Sequence, residues 1–139
     1  MKKEAIIKIQ SSQQTDDGKD FSELTVAGTV VHSDGKSVIE YIEENSDTGP
    51  ERTSLTVTGG SEVSIVREGA FSSEMSVEKS RRHLTYYKTP YGEFTLGIYG
   101  NNVNWFRNGK KSVLKLSYTL DFNNGLLSEN SMNIYIEEK

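Results

Sequence analysis

The stretch VNWFRNGKKSVLKLSYTLDF, Val103 to Phe122, decides the fold. Asn108-Gly109 lies inside it and is the strongest two-residue hairpin signal in the chain. A tight hairpin turn needs positive φ at both central residues, and Asn and Gly accept it. After the turn, Leu114, Leu116, Tyr118, Leu120 and Phe122 alternate with polar neighbours. That period of two puts all five on one face of a strand. Before the turn, Val103 to Arg107 reads as a shorter strand. The unit is therefore two strands and a tight turn, with one apolar face.

Working outward, the same unit recurs. Phe94, Leu96 and Ile98 alternate just upstream, with Asn101-Asn102 expected to break the run before Val103. Thr89-Pro90-Tyr91-Gly92 is a turn, with Pro fixing φ and Gly allowing φ > 0. His83 to Lys88 precedes it. Phe71, Ser73, Met75 and Val77 share one face, and Val63 to Glu68 lies before Gly69. Ser54 to Thr58 enters the turn Thr58-Gly59-Gly60-Ser61. Ser37 to Glu44 returns from the hairpin Ser33-Asp34-Gly35-Lys36, with Asn45 to Pro50 as a loop after it. Phe21 to Val31 and Ala5 to Gln10 complete the amino-terminal part. The polar segment Ser11 to Asp20 reads as a loop, and Ser11 to Phe21 is the best place for a short helix. At the other end, Asn123-Asn124-Gly125 turns into Met132, Ile134 and Ile136.

About ten short strands at 8–12-residue spacing, nearly all hairpin-linked, describe a meander barrel or a sandwich. Short sequential connections favour the up-and-down barrel, which also removes exposed edges. The expectation is an all-β chain, one antiparallel barrel of about 8–10 strands, with residues 1–139 as a single domain. Composition agrees. Val and Ile together number 19, Thr 11 and aromatics 13, against three Ala; β-branched and aromatic residues suit a pleated surface.

Composition also bounds function. With no cysteine, thiolate metal sites, disulfides and cysteine nucleophiles are excluded. The formal charge of −4 argues against whole-surface attraction to nucleic acid or anionic lipid. The start MKKEAIIKIQ has only a three-residue apolar run, too short for a secretory core. A soluble cytoplasmic protein without a membrane role, a monomer or a homodimer, is expected.

Motifs for chemistry are absent. His32 and His83 lie beside turns without partners at metal-ligand spacing. Asp16-Asp17-Gly18-Lys19-Asp20 lacks the glutamate a calcium loop needs. Gly92 to Gly100 is glycine-rich, but Ile98 stands where a phosphate loop needs Lys. No nucleophile elbow occurs. The expectation is a non-enzyme without metal or cofactor.

One asymmetry remains. Residues 1–70 carry 7 basic and 13 acidic side chains, whereas residues 79–115 carry eight basic ones and a single acid, Glu93. Tyr86, Tyr87, Tyr91, Tyr99, Trp105 and Phe106 lie among them. Cations beside rings are what a single-stranded nucleic acid or a protein partner would use, and a small anionic ligand would want the same parts.

The order of residues from Val63 onward carries a resemblance. Val-Ser-Ile-Val-Arg67-Glu-Gly69, Glu-Met75-Ser-Val77, Tyr87-Lys-Thr89-Pro90-Tyr91-Gly92-Glu-Phe94 and Asn133-Ile134-Tyr-Ile136 resemble the YwiB-like family of small bacterial proteins. The resemblance implies a calycin-type, lipocalin-like barrel of uncharacterised task. In the same segment, Gly69 suits a tight corner, Thr89 to Gly92 a barrel rim, and Met75, Val77, Phe94 and Leu96 the core. Arg67 shares a face with Val63 and Ile65, so period two aims it inward. A guanidinium there needs a carboxylate, for which Glu93 is one candidate, or an anionic ligand. The first reading is a barrel binding a small anionic or amphipathic ligand in or at its mouth, with the anion near Arg67 and Arg82 and with Tyr87 and Tyr91 shaping the entrance. The alternative is a nucleic-acid or protein interaction module using the stretch 79–115.

Overall fold

A computed structural model describes residues 1–44, 47–123 and 125–139. Ten strands follow one another: β1 (Lys3–Thr15), β2 (Gly18–Ser33), β3 (Lys36–Glu43), β4 (Glu51–Thr58), β5 (Glu62–Glu68), β6 (Ser72–Glu78), β7 (Arg82–Thr89), β8 (Gly92–Asn108), β9 (Lys111–Phe122) and β10 (Gly125–Glu138). Every strand pairs antiparallel with its sequence neighbours, and β1 pairs with β10 to close the barrel. No helix occurs among the described residues. The up-and-down topology places the connections after β1, β3, β5, β7 and β9 at one end, called the mouth below. The connections after β2, β4, β6 and β8 lie at the opposite end.

The hairpin forms where the sequence signals it but one residue later than expected: Asn108 ends β8 and pairs with Lys111, so Gly109 and Lys110 are the central turn residues, and of Asn108 and Gly109 only Gly109, at φ 61°, takes a positive φ. Three readings are corrected. Ser11 to Asp20 is neither loop nor helix, because β1 continues to Thr15 and β2 starts at Gly18. This extension has no apolar alternation to announce it. Side-chain ties hold it instead: Ser11 and Ser22 hydroxyls lie 3.1 Å apart, Ser12 and Ser131 2.6 Å apart, and Gln13 donates to Asn130 at 3.2 Å. Asn101-Asn102 does not end a strand either. β8 runs through it on a bulge between Gly100 and Asn102, which absorbs one residue without ending the ladder. Phe94, read as core, is 47% exposed, since the mouth end of β8 rises beyond the packed layers.

The apolar residues of the alternating runs plug the middle of the barrel. Ile7, Ile39, Leu55, Ile65, Ile98, Leu114 and Ile134 have no accessible surface, and each such burial contributes about 1.5–3 kcal/mol. Met75 and Val77 belong to the same core. The connection after β6 crosses close to β8: a Cβ on Gly100 would run into the Glu78 backbone. Similarly, a Cβ on Gly69 would lie 3.1 Å from the Pro50 carbonyl oxygen, which is the corner that the sequence requires. With the centre filled, both ends of the barrel are left to polar side chains.

Candidate functional site

The register builds the mouth. Tyr41 of β3 stands opposite Thr53 of β4, Thr53 opposite Arg67 of β5, Arg67 opposite Ser73 of β6, and Ser73 opposite Tyr87 of β7. These five side chains share the inward parity of the core residues Ile39, Leu55, Ile65 and Met75. They form one lateral row immediately above the apolar plug. Tyr118 of β9 and Asn130 of β10 face it across the barrel and are buried. One row further out, Glu43 stands directly opposite Glu51.

A cavity of about 330 Å³ occupies this mouth, lined by Arg67, by the carboxylates Glu23, Glu43 and Glu51, by Tyr41 and Thr53, and by the apolar Ile9, Leu24 and Met132 among others. A second recess of about 250 Å³ continues from Arg67 past Tyr118 and Asn130 to Phe21. Arg67 lines both, together with Ser11, Ser22 and Met132, and is the only charged group among the described residues that does so. Its nearest carboxylate is Glu51, with Nε to Oε1 at 4.0 Å, the outer limit of an ion pair. Glu93, the partner suggested by the sequence, lies instead 3.9 Å from Lys88 on the outer wall.

Burial pushes the Tyr41 phenol up from its ordinary value, while the Arg67 charge and a hydrogen bond with Thr53 pull it back. Burial likewise pushes Tyr118 up, against the pull of Arg67. Both hydroxyls are therefore protonated donors at neutral pH, and both lie within the field of Arg67. The Ser73 hydroxyl sits between Arg67 and Tyr87 in the row, is buried, and has no hydrogen-bond partner among the described residues. A buried unpaired hydroxyl costs about 1–3 kcal/mol, so the row has capacity for one more polar group.

Arg67 and Tyr87, expected at the mouth, lie in one row there on either side of Ser73, and of the three only Arg67 lines the recesses. Arg82 is not in that row. It faces outward at the start of β7, crosses Gly97 of β8, and grips Asp121 of β9 through Nε at 3.1 Å and a terminal nitrogen at 2.7 Å. The bare Gly97 backbone is what lets the guanidinium lie flat across three strands. Tyr91 is at the rim, in the turn after β7, but is 90% exposed and its backbone N–H donates to Thr89 Oγ1. It stands outside the lined cavity. Sequence reasoning missed Tyr41, Thr53, Ser73 and Tyr118 as partners of Arg67, although each has the parity of its strand's core residues. Glu43 and Glu51 were missed because their register depends on the connection between β3 and β4, which includes Asn45 and Ser46, outside the described residues.

The basic stretch 79–115 does not converge on one face. Arg81 pairs with Glu78 at 3.3 Å, Arg82 with Asp121 and Lys88 with Glu93. Tyr86 and Phe106 point outward on different strands, whereas Trp105 and Arg107 line a recess of about 350 Å³ at the end opposite the mouth. Near that recess His32 bridges Ser37 Oγ at 2.8 Å and Glu138 Oε2 at 3.2 Å, tying β2, β3 and β10 together.

Among known proteins, the chain is similar to the crystal structure of ywiB protein from Bacillus subtilis. The TM-score is 0.86 at 20% identity, over 99% of this chain and 93% of that one. That likeness establishes the shared barrel. No curated protein matches. The model for a domain of unknown function, DUF1934, matches residues 7–134, nearly the whole barrel, and the chain belongs to that family.

Proposed function

We propose that the chain is a non-enzymatic barrel that binds a small anionic or amphipathic molecule at its mouth, with the anionic group held by Arg67, Ser73, Tyr118 and Tyr87. The observation that carries the reading is the Ser73 hydroxyl, buried without a partner among the described residues, in the same row as an arginine whose one ion pair among them is at 4.0 Å. A guanidinium, a serine hydroxyl and protonated phenols are all donors, and donors gathered at the edge of an apolar plug suit one oxyanion with an apolar tail. Binding fits the phenols better than catalysis does, since burial keeps Tyr41 and Tyr118 from acting as bases at neutral pH.

The test is an amide NMR titration of the whole chain with leucine and with 4-methylpentanoate as probes. Saturable shifts at Thr53, Arg67, Ser73 and Tyr87 are expected from at least one probe, and their loss in Arg67→Met. Shifts confined to the outer wall, or none from either probe, would overturn the reading.

A further inference from the structure

The carboxylates of the mouth narrow the ligand class. Glu43 and Glu51 are direct cross-strand neighbours on the inward face, and both line the cavity beside Arg67. Like charges set directly opposite each other on a sheet disfavour the fold. Arg67 does not neutralise both: among the described residues it pairs with Glu51 alone, at 4.0 Å and without a hydrogen bond. The Tyr41 hydroxyl below them feels the two carboxylates and the guanidinium together. The two recesses around Arg67 are thus lined by one cation against four carboxylates, Glu43 and Glu51 together with Asp20 and Glu23, of which Glu23 is paired with Lys8 at 3.5 Å. A purely anionic ligand would add to the excess negative charge.

We infer that the ligand is a zwitterion, an apolar α-amino acid or a molecule with the same head, its carboxylate on Arg67 and its ammonium between Glu43 and Glu51. This rests on the mouth being the binding site and adds the second charge. In an α-amino acid a single carbon separates the two charged groups, which matches an arginine and a glutamate lying side by side. Ammonium has three donors and no acceptor, so it can bridge both carboxylates and relieve their repulsion. Ile9, Leu24 and Met132 form the apolar wall of the same cavity and would receive the side chain. Ser73, between Arg67 and Tyr87, would complete the carboxylate's donors.

Three probes decide the matter: leucine, its deaminated analogue 4-methylpentanoate, and its decarboxylated analogue 3-methylbutylamine. Calorimetric or NMR affinities are measured on the full chain at neutral pH. Leucine should bind about tenfold more tightly than 4-methylpentanoate, the affinity step of one charge-assisted hydrogen bond. In the Glu43→Gln, Glu51→Gln double variant that preference should vanish. If 4-methylpentanoate binds the unaltered protein as tightly as leucine, the zwitterion is wrong and the anion reading stands. If 3-methylbutylamine equals leucine, Arg67 is not the anchor and both readings fall. If none of the three binds, both are overturned. The ranking in the unaltered chain needs no variant to fold.

Discussion

Arg67→Met separates a binding arginine from a structural one. The substitution keeps most of the apolar stem and removes the charge. The Arg67 and Glu51 side chains are 29% and 26% exposed, and their closest approach is 4.0 Å. At that separation the gross attraction is about 4 kcal/mol for an effective dielectric constant near 20. Solvent contact and the entropy of two long side chains cancel most of it, and partly exposed pairs of this kind contribute about 0–1 kcal/mol. No hydrogen bond is lost with the charge. The expected cost in ligand-free protein is therefore about 1 kcal/mol or less, a fall in Tm of about 4 °C for a chain of this size. Thermal unfolding followed by circular dichroism, at neutral pH and moderate salt, measures it. A loss of about 3–5 kcal/mol is the signature of a broken buried ion pair. That result would make Arg67 part of the scaffold and refute its assignment to a ligand.

Three further outcomes follow from the geometry. Raising the pH should leave stability unchanged up to about 10, the unfolded phenol value, and then erode it. Tyr41 and Tyr118 are pushed up by burial in the fold, so the unfolded chain releases those protons first. Ultraviolet phenolate titration should show two of the seven tyrosines ionising late, and seven coincident titrations would contradict it. Gly97→Val should lift Arg82 off β8 and break its pair with Asp121; an NMR shift of the Arg82 Nε–H reports the loss directly, and an unchanged signal would contradict the stacking. Gly100→Ala should cost about 1–3 kcal/mol by overpacking, because its new methyl meets the Glu78 backbone rather than a movable side chain; denaturant unfolding indistinguishable from the parent would show that the β6–β7 connection gives way freely.

The parts of the fold that were legible were those where one face is buried. Leu114 to Leu120 and Met75 with Val77 announce themselves because period two coincides with the core. Asn108-Gly109 announces its turn through backbone chemistry alone. Ser11 to Thr15 was illegible for the opposite reason: both faces are polar, and the strand exists through its ladder and through hydroxyl and amide ties. Arg67 was legible from parity. Arg82 was misplaced although parity was available, since it and Tyr87 lie five residues apart on one strand and must face opposite sides. The Glu43–Glu51 facing pair needed the length and path of a connection, which no local pattern supplies.

Nine of the ten strand pairings join neighbours along the chain; the β1–β10 seam joins residues such as Ala5 and Glu138. The loop-closure entropy of meeting across some 130 residues is about 4 kcal/mol, and that whole cost falls on one pairing. The barrel is therefore a ribbon of hairpins with one long-range stitch, and its slowest folding step should lie there. Ser12 with Ser131 and Gln13 with Asn130 fasten the stitch near the mouth, and Lys3 and His32 hold Glu138 at the other end. When those fastenings release, the cylinder becomes an open sheet with two long unpaired edges, each complementary to the other edge of a second copy. Exchange of the seam between molecules, and not exposure of the core, is then the natural route by which this protein would misassemble.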